Sequence, residues 1–200
     1  MGNRLVISVE KNGEPMLSIY WHWDADRARS FVHKCELLKI LDKDDSLERM
    51  CKKICAFYKD AGLVTSDGWW HESWGNNNLV KEYPEEIKVV REMLKKGIPE
   101  GKDRNEGLIS ITPKLIEQMK WMWADSTEIL DLEDPDFSIF DSMWLCEDPE
   151  DYADDEILDM PKKMCLTVTK DNVGEILHRF FTIYDGFYRD PVSGAIYQLC

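Results

Sequence analysis

The chain has 200 residues, 44% of them hydrophobic and 32% charged, with a formal net charge of -14. That length holds one domain with a sizeable core or two small ones, and that composition excludes wholesale disorder. A net negative field opposes direct contact with nucleic-acid backbones, and no run approaches the ~20 apolar residues that a membrane helix requires.

Met1-Gly2-Asn3-Arg4-Leu5-Val6 lacks the long apolar segment of a signal peptide, so a cytoplasmic protein is expected. Six scattered cysteines (Cys35, Cys51, Cys55, Cys146, Cys165 and Cys200) show no framework spacing and are expected as free thiols, several of them buried.

Taken in order, Arg4 to Val9 reads as a strand, with Leu5, Ile7 and Val9 on one face and Val6 and Ser8 on the other. Asn12-Gly13 signals a hairpin, because both residues tolerate the positive φ of a type I′ turn. Met16 to Trp23 is the returning strand, rich in aromatic and β-branched residues. Asp24 or Asp26 then caps a helix whose stripe is Ala28, Phe31, Val32, Cys35 and Leu38.

Asp44-Asp45-Ser46 ends that helix and caps a second, built on Leu47, Met50, Cys51, Ile54, Phe57 and Tyr58. Ser66 to Asn78 reads as a loop, and Leu79 to Tyr83 as a short strand. Pro84-Glu85-Glu86 opens a helix through Lys96 with Ile87, Val90 and Leu94 inward. Gly97 to Glu106 is a polar linker and the candidate internal boundary.

Gly107 to Ile111 is a strand, and Thr112-Pro113 starts a helix that buries Leu115, Ile116 and Met119. Thr127 to Glu133 alternates, and with Phe137 to Cys146 it is expected to form an antiparallel hairpin. Lys163 to Thr169 reads as a strand, Asp171 to Tyr184 as a helix on Val173, Ile176, Leu177 and Phe180, and Ala195 to Leu199 as an edge strand. The expected fold is one α+β domain over residues 1–200, a mostly antiparallel sheet with helices packed on one face.

Charge is segregated along this chain. From Asp125 to Asp159 there are fifteen acids and no lysine or arginine, which leaves 24 of the 39 acids against 25 bases elsewhere. The segment 125–159 therefore reads as an acidic insertion. Its candidate contacts are Asp131, Glu133, Asp148, Glu150, Asp151, Asp154, Asp155 and Glu156, against the plainer reading of a solvated loop.

Familiar chemical motifs fail in detail. Gly97 to Gly101-Lys102-Asp103 has too few residues between its glycines for a phosphate loop, a proline without an N–H, and Asp where the metal hydroxyl belongs. His71-Glu72 has Gly75 where a zinc-protease helix needs its second His. A calcium loop starting at Asp134 meets Leu145 where a bidentate Glu is required. Cys51 and Cys55 lie one turn apart on an apolar face, which marks core. No metal, cofactor or catalytic residue is assigned.

Two aromatic–histidine clusters stand apart, Tyr20-Trp21-His22-Trp23 and Trp69-Trp70-His71-Glu72-Ser73-Trp74. In a strand Tyr20 and His22 share one face, and Trp21 and Trp23 the other. Core packing or loop anchoring is the commoner use of such residues. Trp69, Trp70, His71 and Trp74 are nevertheless candidates for an aromatic surface, because tryptophan dominates binding hot spots.

Gly2-Asn3-Arg4 before a strand, with Tyr20-Trp21-His22-Trp23-Asp24 before a helix, resembles a group of small uncharacterised proteins from bacteria, phages and mobile elements. These open Gly-Asn-Arg or Gly-Asp-Arg and carry a Tyr-x-His-Trp-Asp-Gly block. Arg104-Asn105-Glu106-Gly107-Leu108-Ile109 is similar to a second block in such phage-type proteins. The chain departs from the pattern at Ala25, where the group has Gly.

The resemblance implies a phage or mobile-element accessory protein and brings no activity. With the segregated charge it gives the leading expectation: a binding protein, not an enzyme, that engages a basic surface of a host protein as an inhibitor or nucleic-acid mimic, such as an anti-defence factor. The alternative is a small-ligand-binding protein or metal-dependent enzyme using His22, Asp24 and the Trp69–Trp74 region.

Overall fold

The computed structural model describes residues 3–65, 83–101, 107–139, 143–146, 165–181, 187–190, 192, 194 and 196–199. The fold is α+β. It divides into two compact units, Met1–Ala25 with Ile40–Asp134, and Asp26–Lys39 with Pro135–Cys200.

The first unit is organised on a five-stranded mixed sheet. Its first hairpin joins β1 (Leu5–Lys11) to β2 (Glu14–Trp21), antiparallel, with Leu5 opposite Trp21 and Ser8 opposite Ser18. The turn is where the sequence puts it: Asn12 and Gly13 sit at φ 54 and 75, the left-handed region a type I′ turn demands.

α1 (Arg27–Ile40), whose residues through Lys39 belong to the second unit, and α2 (Leu47–Phe57) follow. Next come β3 (Gly62–Leu63), α3 (Pro84–Lys95), β4 (Leu108–Ser110), α4 (Pro113–Trp123) and β5 (Ser126–Asp131). The strand order is β3-β4-β2-β1-β5, with β3–β4 and β1–β5 parallel.

Leu5 through Val9 and Leu17 through Trp21 are buried without a break. Burial on both faces makes a central strand read as a near-continuous apolar run. Each fully buried Leu or Ile stabilises by roughly 1.5–3 kcal/mol, so this hairpin is the energetic centre of the unit. The interruptions are serines. Ser8, Ser18 and Ser110 stand opposite one another across β1, β2 and β4, all buried.

Small side chains there let α4 approach, and Ser18 Oγ lies 3.5 Å from Met119 Sδ. Leu115, Ile116 and Met119 fill that contact. On the opposite face Trp21 meets the Tyr58 ring edge-on at 5.7 Å, at the end of α2.

Caps follow local chemistry. Ser46 Oγ accepts from Arg49 N at the start of α2. Asp45, 4% exposed, accepts from Asp42 N (2.8 Å) and meets Lys53 Nζ (2.5 Å) and Arg49 Nε (2.9 Å). Gly62 is required by close approach: a Cβ there would lie 2.4 Å from Gly101 N. The backbone bond from Gly101 N to Leu63 O ties the two segments, so the start of the expected linker is fastened to β3.

In the second unit Asp26 caps α1 through Arg29 N (2.9 Å), and the helix buries Phe31, Cys35, Leu37 and Leu38. Lys170 Nζ closes its other end on the carbonyls of Leu38 (2.8 Å) and Lys39 (3.3 Å), the interaction a cation favours at a helix C-terminus. Phe31 packs edge-on against Phe137.

The remaining elements are β6 (Phe137–Ile139), β7 (Met143–Cys146), β8 (Leu166–Val168), α5 (Val173–Phe181), β9 (Phe187–Arg189) and β10 (Ile196–Leu199). β6 pairs with β8, and a second sheet runs β7-β10-β9. Among the described residues five of seven strand pairings are antiparallel.

Two pairings differ from expectation. Thr127–Glu133 and Phe137–Cys146 do not form a hairpin: β5 runs parallel to β1, and β6 pairs with β8. Period-two alternation specifies a strand and its inward face but not its neighbour. With β2 on one edge and β5 on the other, the N–H and C=O groups of the buried β1 are paired on both edges. The C-terminal strand is also not an edge, since β10 lies between β7 and β9.

Candidate functional site

The two ends of β5 carry the notable chemistry. At its start the Asp125 carboxylate accepts from Arg4 N (2.8 Å), Arg4 Nε (3.0 Å) and Arg4 Nη2 (3.2 Å). Asp125 N in turn donates to Arg4 O at 2.7 Å. Two-pronged Arg–carboxylate pairs are among the stronger charge-assisted hydrogen bonds. The Arg4 hydrogen bonds hold the Asp125 carboxyl below its ordinary 3.8 against the opposing effect of burial, and His22 adds a smaller lowering.

His22 belongs to the same end of the sheet. The Tyr20 hydroxyl and His22 Nδ1 share a hydrogen bond of 2.7 Å. Trp23, 51% exposed, stands edge-on to the His22 ring at 4.8 Å. Tyr20 is wholly buried, so its hydroxyl is a fixed post. When that hydroxyl donates, the imidazole proton sits on Nε2; when Nδ1–H donates, Nε2 is an acceptor. Asp24 is half-buried two residues further on.

At the far end of β5 the electrostatics are reversed. Asp131 turns its carboxylate back to accept from Glu133 N at 2.9 Å, shaping the turn that leaves the strand. Glu133, Asp134 and Asp136 are exposed. None of these four acids makes an ion pair among the described residues.

Elsewhere some carboxylates are answered, Asp42 and Asp45 by Lys53, Glu48 by Lys52 and Lys96, Glu86 by Lys114 and Glu10 by Lys120, while the exposed and dispersed Glu14, Glu85 and Glu92 make no ion pair among the described residues. Lysine hydrogen bonds hold Glu48 below the ordinary carboxylate range, and a backbone hydrogen bond with one from Lys114 does so for Glu86.

Of the expected contact residues, Asp131 and Glu133 thus sit together at one strand end. Asp148, Glu150, Asp151, Asp154, Asp155 and Glu156 lie outside the described residues, as do Trp69, Trp70, His71 and Trp74. The structure brings Tyr20 to His22, as strand alternation foreshadows. The Arg4–Asp125 clamp joins residues 121 positions apart, and no local signal announces it.

The described cysteines Cys35, Cys51, Cys55 and Cys165 are free thiols. Burial pushes Cys51 up to about 12 and Cys55 up to about 11, away from thiolate reactivity. Among the described residues no three His, Cys, Asp or Glu side chains converge as a metal site, and no helix is long and apolar enough to cross a membrane.

No family model, no curated protein and no solved structure matches the chain. What the described geometry offers is a closed polar cluster at one end of β5 and an open run of negative charge at the other.

Proposed function

We propose that the chain is an acidic, phage-type accessory binding protein whose 125–159 segment engages a basic surface on a host protein. The observation that carries this reading is the run Asp131, Glu133 and Asp134, which has no cation partner among the described residues, within a segment of fifteen acids and no bases. Like charges held together raise their own repulsion, and a basic partner relieves it.

A host nucleic-acid-binding protein offers such a surface, which makes an inhibitor or nucleic-acid mimic the working description. The resemblance of Gly2–Arg4 and Tyr20–Asp24 to phage and mobile-element proteins supports a host partner. The test is affinity for basic host proteins across a salt series, with Asp148, Glu150, Asp154, Asp155 and Glu156 neutralised in the comparison variant. Steep salt dependence that flattens in the variant is expected. A flat response in both chains overturns the reading.

The Tyr20–His22 hydrogen bond beside the exposed Trp23 favours a second reading, a small-ligand or metal-dependent site around His22 and Asp24. Tryptophan fluorescence and thermal shift against nucleotides and divalent cations test it. A ligand response abolished by His22→Ala supports it, and none at all excludes it.

A further inference from the structure

β5 is the last strand of the five-stranded sheet, with β1 on one side and no strand among the described residues on the other. Its backbone alternates. Ser126 N donates to Arg4 O and Leu132 N to Glu10 O, so the even-numbered amides of this parallel ladder face β1. The N–H and C=O groups of Thr127, Ile129 and Asp131 therefore face outward.

The side chains set the two faces beside this edge: Thr127 is exposed and Ile129 is 51% exposed on one, while Leu130 is buried on the other. An edge of this kind is a template for another strand. An exposed isoleucine at its centre offers apolar contact to whatever lies alongside.

We infer that the outer edge of β5 accepts an extended basic segment of the partner by strand addition, an aliphatic residue lying beside Ile129 and lysine or arginine side chains meeting Asp131, Glu133 and Asp134. The inference rests on the basic-partner reading above and specifies its mode. Charge selects the occupant. A second copy of this chain brings the same acids, and like charges across a strand pair are destabilising. A basic strand gains main-chain hydrogen bonds from Thr127, Ile129 and Asp131 and charge pairing at the strand end, the two components of recognition by strand addition.

A short synthetic peptide whose valine is followed two and four positions later by lysines, on one face of an extended strand, is the probe, in three forms: unmodified, N-methylated at every odd position, and N-methylated at every even position. Methylation removes N–H donors without changing charge, and in an extended strand only one of the two sets faces β5. The expected result is binding of the unmodified peptide at low salt, a loss of about tenfold or more for one methylated form, and little change for the other.

The same binding is expected to be lost on Asp131→Asn with Glu133→Gln and Asp134→Asn. Equal binding, or equal loss, of the two methylated forms overturns strand addition; if the acid variant still loses binding, the basic-partner reading stands. An unmodified peptide that does not bind at low salt overturns both.

Discussion

Asp125 and Asp131 stand at opposite ends of one strand and face opposite circumstances. Asp125 receives three hydrogen bonds from a single arginine and helps set β5 parallel to β1. Asp131 spends its carboxylate on a turn and leads into exposed acids with no cation partner among the described residues. Counting acids along the sequence treats both ends alike. The structure separates carboxylates that hold the fold from carboxylates that present charge, and the two classes should respond differently to removal.

The largest effect is expected at the most buried paired acid. Asp45→Ala removes a buried carboxylate that accepts from Asp42 N and meets Lys53 and Arg49, so denaturant unfolding should show a loss of about 2 kcal/mol. A loss under ~1 kcal/mol would place Asp45 with the dispensable acids.

Next comes the clamp. Arg4→Ala or Asp125→Ala should each cost about 1 kcal/mol, since the pair is two-pronged but partly solvated. Its pH dependence has a definite sign. The folded-state pKa of Asp125 lies below its ordinary 3.8, so the contribution is complete above that value and is lost as pH falls through the lower folded one. Stability curves of the parent and Asp125→Asn should therefore converge in strong acid, separate as pH rises to the ordinary 3.8, and run parallel from there toward neutrality.

At the open end, Glu133→Gln with Asp134→Asn and Asp136→Asn should change stability by no more than about 0.5 kcal/mol, in either direction. Added salt should shrink whatever difference exists. Smallest of all, Ile129→Thr keeps a β-branched residue on an exposed strand position and should leave the melting temperature within a degree or two, roughly. A marked fall would mean that the outer face of β5 is covered.

Much of the scaffold was legible in local chemistry. Asn12-Gly13 announced its turn, Ser46 its helix start, and the stripe Leu115, Ile116 and Met119 its buried face. α1 and α3 show how far such patterns reach: Leu37 and Met93 are buried where Val32 and Leu94 were expected, a rotation of the stripe that tertiary packing decides.

Pairing was not legible. The alternation of Leu130 and Leu132 marks a strand, yet its neighbour is β1, more than a hundred positions away. The candidate contacts divided in the same manner. Segregated charge pointed to Asp131 and Glu133 but could not tell that Asp125, inside the same acidic run, is already neutralised by Arg4.

The proposed binding at the open end of β5 depends on the position of its acids and not on total charge. The most direct measurement compares two charge-matched variants for affinity toward a basic host nucleic-acid-binding protein at low salt. One carries Asp131→Asn, Glu133→Gln and Asp134→Asn; the other carries Glu14→Gln, Glu85→Gln and Glu92→Gln at exposed sites elsewhere. The account predicts a loss of about tenfold or more in the first and a change of less than about twofold in the second. Equal losses in the two would contradict it.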